Sequence, residues 1–145
     1  MKYRHRFVVR APLSQVAEFH NRPESMAAIT PPPMIVRMHR APAAITAGEE
    51  MSFTLWVGPL PIHWTARLED VTANGFTDRQ VSGPFASWAH RHTYSALDDQ
   101  TTAVNDDIEL ELKRHSVWWV IGLGMRLGLP FLFFYRGLMT RRLLQ

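Results

Sequence analysis

From residue 34 to residue 112 the chain alternates apolar and polar side chains, segment after segment, and then the alternation stops. Period-two segments bounded by Gly, Pro, Asn and Asp read as antiparallel strands joined by tight turns. The segments span 34–40, 50–57, 62–71, 76–81, 87–96 and 101–112. The turn signals between them include "GPLP" at 58–61, "TANG" at 72–75 and "LDDQ" at 97–100. The remainder, "SVWWVIGLGMRLGLPFLFFYRGLMTRRLLQ" at 116–145, is long and apolar, with no turn logic before Gly128 and Pro130. Ser116 is placed to cap a helix there, and Pro130 to kink it or divide it in two. A sheet with one apolar face and a long apolar helix each need a partner surface. A curved antiparallel sheet wrapped around a C-terminal helix satisfies both, which makes the chain α+β.

The first third fits that frame. Tyr3, His5, Phe7 and Val9 alternate with Arg4, Arg6 and Arg10, giving a first strand with a basic outer face. In "APLSQVAEFHN", Pro12 stands at a helix start, with Val16, Ala17 and Phe19 inward. A second short helical piece covers 23–28, and "TPPPM" at 30–34 is an extended connector. No linker or repeat divides the 145 residues, so a single domain over 1–145 with one core is expected.

Composition narrows the function classes. The chain is 46% hydrophobic and 20% charged, as a globular protein is. It has no cysteine, which excludes a disulfide framework, thiolate zinc sites and a Cys nucleophile. "MKYRHRFVVR" holds no apolar core of a secretory signal, so a cytoplasmic location is expected. The net charge is +3 with scattered arginines and no basic block interleaved with aromatics, so no nucleic-acid partner is expected.

The chemistry concentrates in "GPFASWAHRHTYSAL" at 83–97. Strand parity puts Trp88, His90, His92 and Tyr94 on one face. A core strand would carry Val, Ile and Leu there. On the last strand Thr102, Val104, Asp106, Ile108, Leu110 and Leu112 share the buried face, while Asn105, Asp107, Glu109 and Glu111 share the wet one. A buried Asp106 needs a donor, and His90 or His92 on the neighbouring strand is the natural one. Asp78 and Gln80 lie on one face of the preceding strand. A buried polar set of Asp78, Gln80, His90, His92 and Asp106 emerges, framed by Trp64, Trp88 and Tyr94.

The pattern from Trp64 through Phe76, Asp78, Gln80, Gly83, Pro84, Phe85, Trp88, His90, His92 and Tyr94 to Thr102, Asp106 and Ile108 resembles the SRPBCC superfamily, also called START-like or Bet v 1-like. Within it the chain is most similar to the bacterial polyketide cyclase/dehydrase-like ligand-binding proteins, and "TPPPM" matches a Thr-Pro-Pro segment of that group. The resemblance implies a helix-grip fold. In that fold a seven-stranded antiparallel sheet curls around the C-terminal helix, with an apolar cavity between them.

Two functional readings of this region stay open at this point, beside a purely structural one. A hydrophobic ligand, lipid-like or polyketide-like, would lie against Phe53, Leu55, Trp64, Phe76 and the C-terminal helix. Asp78, Gln80, Trp88, Tyr94 and the His90–His92–Asp106 group would form its polar end. An enzyme of cyclase or dehydratase type would use His90 or His92 with Asp106 as an acid–base pair. The same polar set can instead be a self-satisfied network that fixes strand register. His90 and His92 with Asp106 or Asp78 also form a facial set for a metal, but an H-x-H pair alone assigns neither metal nor cofactor. His5 reads as a core residue and His63 as solvated.

The tail adds a third class, an interaction protein. Residues 117–135 carry one charge, Arg126, and are long enough to span a bilayer, yet the fold needs them inside the sheet. Trp118, Trp119, Phe131, Phe133, Phe134 and Tyr135 cannot all face inward. A homodimer partner, a membrane surface or a bound ligand would have to cover the rest, and the basic group Arg136, Arg141 and Arg142 suits an anionic membrane.

Overall fold

A computed structural model describes residues 1–145. In chain order the elements are β1 (Lys2–Val9), α1 (Leu13–His20), α2 (Ser25–Ala28), β2 (Met34–Arg40), β3 (Glu50–Val57), β4 (Leu60–Thr72), β5 (Gly75–Ser82), β6 (Phe85–Asp98), β7 (Thr101–Leu112) and α3 (Ser116–Leu144). The seven strands form one sheet in the order β1-β7-β6-β5-β4-β3-β2. Every neighbouring pair is antiparallel. This is the helix-grip architecture expected: β2 to β7 run as a meander, and β1 closes on β7 after the short helices.

The strands extend further than their turn signals suggest. Bulges between Phe85 and Ser87 and between Ala96 and Asp98 let β6 and β7 stay paired beyond 87–96. The "LDDQ" turn shrinks to Asp99 and Gln100, where the Gln100 N–H donates to Asp98 Oδ1 at 2.8 Å.

α3 is one continuous helix, not two. Pro130 sits on its exposed side, so the carbonyl of Arg126 that loses its intrahelical donor can face water. Ser116 does not cap it either. His115 occupies the cap position, without a side-chain bond, and Ser116 begins the first turn.

The helix lies closest to the sheet where it has no side chain. A Cβ on Gly137 would stand 3.2 Å from Phe7 Cγ, and one on Gly122 3.0 Å from Leu112 Cδ2. Between those contacts Phe133 is fully buried, with its ring 5.7 Å from Tyr3, 5.9 Å from His5 and 5.3 Å from His90. The Arg141 Nε–H donates to the Val8 carbonyl at 2.8 Å and ties the last turn to β1.

The core divides. A main cluster includes Phe53, Trp64, Phe85, Trp88, Ile108, Leu110, Leu129 and Phe133. A second joins Phe7, Val9, Val16, Tyr94 and Val104 beneath α1. The outer face of α3 stays open: Val117, Val120, Leu127, Phe131, Phe134 and Leu138 are exposed, with Phe131 and Phe134 at 64% and 63%. Their spacing places them on one stripe, opposite the buried Gly122, Leu129, Phe133, Gly137 and Thr140.

Candidate functional site

A cavity of about 450 Å³ opens between the sheet and α3. The pleat of β3 to β6 turns Phe53, Leu55, Ile62, Trp64, Ala66, Phe76 and Trp88 toward it. α3 contributes Ile121, Met125, Leu129, Leu132 and Phe133, and the α1–α2 region adds Pro23, Met26 and Ile29. The aromatic wall is internally packed. Trp64 stacks on Phe53 with centroids 5.9 Å apart and meets Trp88 edge-on at 5.1 Å.

One wall is polar, and β5, β6 and β7 build it from adjacent register positions. Asp78 pairs with His90 across β5 and β6, and His92 pairs with Asp106 across β6 and β7. His90 Nε2–H donates to Asp106 Oδ1 at 2.8 Å. His92 donates from Nε2 to Asp78 Oδ2 at 2.9 Å and from Nδ1 to Asp106 Oδ1 at 3.2 Å. Trp88 Nε1–H donates to Asp78 Oδ1 at 3.2 Å. His90 Nδ1 stands 3.5 Å from Asp78 Oδ2, and the two imidazole centroids are 3.6 Å apart.

The two histidines titrate in opposite directions. Burial lowers His92, but its bonds to Asp106 and Asp78 and their charges outweigh that and raise it to about 9. Burial and the neighbouring His92 charge push His90 down despite its bond to Asp106. Burial would raise Asp106, yet the bonds from His90 and His92 hold it well below the usual carboxylate range. Asp78 is lowered in the same way, against its burial, by His90, His92 and Trp88. At neutral pH the group is therefore two carboxylates, one imidazolium and one neutral imidazole, a net charge of −1.

Three further titratable residues that sequence reasoning did not place there line the cavity: Arg22, which donates to Glu18 at 2.6 Å, His20 and Arg136. His20, at the end of α1, lines it, donates from Nδ1–H to the Val16 carbonyl (2.9 Å), and is lowered by burial to about 4. Arg136 lines it from α3, with its guanidinium carbon 5.2 Å from the Phe133 ring centroid. Sequence reasoning grouped Arg136 with the surface pair Arg141 and Arg142. The structure separates it by placing it beside Leu129, Phe133, Gly137 and Thr140, on the buried side of a helix whose sequence is apolar on both faces.

Two expected site residues lie elsewhere. Gln80 shares a strand face with Asp78 but turns to the β5–β6 connection. Its Nε2–H donates to the Phe85 carbonyl at 2.8 Å, and its Oε1 accepts from the Phe85 N–H at 3.2 Å. Tyr94 shares the inward face with His92, but α1 covers that stretch of sheet instead of the cavity. Its ring packs in the second core, 5.0 Å from His20. Asp106 sits behind the histidines and does not line the cavity, whereas Phe53, Leu55, Trp64, Phe76, Asp78, Trp88, His90 and His92 do.

Asp78, His90 and His92 present ligand atoms within 4.8 Å of one another, a geometry that can hold a metal. The same atoms already bond to one another, and His92 would have to give up one proton first.

No family model matches the sequence, and no curated protein does. Solved structures do match its fold. The ZhuI aromatase/cyclase from a Streptomyces species superposes with a TM-score of 0.71 at 17% identity, over 99% of this chain and 95% of that one. A Mycobacterium smegmatis protein gives 0.74 at 12% identity, over 99% and 90%. The di-domain ARO/CYC BexL gives 0.57 at 18% identity, over 76% of this chain and 35% of that one. The likeness is in fold: the chain has the helix-grip architecture of these proteins.

Proposed function

We propose that this protein binds a hydrophobic small molecule, lipid-like or polyketide-like, in the cavity between sheet and α3. The observation that carries the reading is the cavity itself: about 450 Å³, lined mostly by apolar side chains, with Asp78, His90 and His92 on one wall and few polar groups elsewhere. Ligand pockets share that size and that distribution, since apolar walls supply affinity and a few polar groups set orientation. A solid core would have closed this space, because protein interiors pack densely. Native mass spectrometry of freshly purified protein, before and after denaturation, tests it. A mass excess lost on denaturation supports the reading and gives the occupant's mass.

The fold neighbours described as aromatase/cyclases raise the enzyme alternative, with His90 or His92 and Asp106 acting on a polyketide-like substrate. The geometry favours binding. A general base needs a ring nitrogen within reach of the proton it removes. Both nitrogens of His92 are bonded to carboxylates, and those of His90 face Asp106 and Asp78.

A second reading concerns the outer face of α3, on which we infer contact with an anionic membrane surface. Residues 113–145 hold no Asp or Glu, while Lys113 and Arg114 precede the exposed apolar stripe and Arg141 and Arg142 follow it. A second copy would bring like charges together along the seam, whereas anionic headgroups complement them. Val120 belongs to both the stripe and the cavity lining, so a bilayer on this face would meet the cavity mouth.

A further inference from the structure

Arg136 is the one cavity residue whose hydrogen-bonding capacity the protein leaves unused. Its Nε is fully buried and has no partner. No carboxylate lies within ion-pair distance of its guanidinium, and none of its N–H groups bonds to another side chain or carbonyl. Its nearest neighbour of note is the face of Phe133, which holds the group but accepts no conventional hydrogen bond. Asp78 and Asp106 act on it only at a distance, because His90, His92 and Trp88 already occupy their oxygens.

A guanidinium stays charged and carries five donors in a planar fork. Taking it out of water without acceptors is costly, and that cost is recovered only by a partner with oxygen acceptors. Two other arginines of α3 show what a satisfied one looks like here: Arg126 donates to the Lys2 carbonyl and Arg141 to the Val8 carbonyl. Arg136 lines the cavity with no acceptor for its buried Nε–H.

We infer that Arg136 is the headgroup site of the cavity, and that its ligand is an amphiphile with a terminal carboxylate. This rests on the proposed binding role of the cavity and narrows it. The carboxylate would take the guanidinium fork in a bidentate pair, and the apolar body would run along Leu129, Met125, Trp64 and Phe53 toward the mouth. A carboxylate matches the planar fork and the positive charge together. A hydroxyl matches neither, and so supplies the comparison that tests the idea.

The experiment is calorimetric titration of the full chain with dodecanoate and with dodecan-1-ol, for wild type, Arg136→Met and Arg136→Lys. Wild type should bind dodecanoate at least about tenfold more tightly than the alcohol. Arg136→Met should bind the two alike, with its affinity for the alcohol kept. Arg136→Lys should restore part of the preference. Equal affinities for acid and alcohol in wild type overturn the headgroup assignment while leaving the cavity reading intact. Binding of neither overturns the cavity reading, and this inference with it. Should Arg136→Met fail to fold, the wild-type comparison decides alone.

Discussion

His92 and Asp106 face each other across β6 and β7 with Nδ1 and Oδ1 3.2 Å apart, and the same oxygen also accepts from His90 at 2.8 Å. One buried carboxylate thus orders two imidazoles, and Asp78 closes the arrangement from the other side. Most of what can be tested about this wall follows from that sharing.

Asp106→Asn should destabilise the protein by about 3 kcal/mol or more, since a buried ionic group loses its counter-charge. Urea unfolding measures this. The same substitution should lower the His92 titration, seen by NMR of the ring protons. An unchanged midpoint in urea would show that Asp106 does not hold the wall together.

Stability should fall on both sides of a maximum near pH 6.5. Above it, native His92 keeps until about pH 9 a proton that the unfolded chain, with its ordinary value of 6.5, has released. Stability from this group is complete below 6.5 and is lost as pH rises to 9, by about 3 kcal/mol. Below the maximum, His20 refuses until about pH 4 a proton the unfolded chain takes up at 6.5, so stability falls as pH drops between those values. His90, also lowered, acts in the same direction. His92→Gln should flatten the alkaline limb of a melting-temperature profile, and His20→Gln should leave it intact. An alkaline limb unaffected by His92→Gln would refute the charge assignment.

Glycines of α3 should divide by what surrounds them. Gly137→Val meets the Phe7 ring and should cost about 1–3 kcal/mol by pushing the helix from β1. Gly124→Ala meets nothing within 4 Å and should add up to about 1 kcal/mol through helix propensity. Thermal unfolding of the two variants should move in opposite directions; movement in the same direction would mean that α3 is not seated as described.

Exposed Phe131 and Phe134 should direct the protein to anionic bilayers. Wild type should sediment with phosphatidylglycerol vesicles, less so at high salt, and weakly with phosphatidylcholine. A Phe131→Ser, Phe134→Ser double variant should stay folded and lose sedimentation. A wild-type dimer in light scattering that ignores both vesicle types would assign the stripe to a second copy instead.

The fold was legible because the period-two stretch and the apolar tail are unmixed. Alternation between short turns marked β2, β3 and β7 to the residue, and the aperiodic apolar tail marked α3. Within the site, strand parity correctly assigned faces to Asp78, His90, His92 and Asp106. Parity says nothing about what covers each stretch of a face. Tyr94 therefore passed for a cavity residue although α1 lies over it, and Gln80 passed for one although its amide bonds the β5–β6 connection. Arg136 was hidden for a related reason. α3 is apolar on both faces, so no hydrophobic stripe tells which side of the helix an arginine occupies, and only packing against Phe7 and Phe133 settles it.

The central claim is that the space between sheet and α3 holds an apolar ligand. A methyl NMR titration with dodecan-1-ol tests it most directly. Saturable shifts at Leu55, Met125 and Leu129, with Val9 and Val16 unmoved, are the predicted result. No shift at those cavity methyls, or shifts confined to Leu127 and Leu138 on the outer stripe, would contradict it.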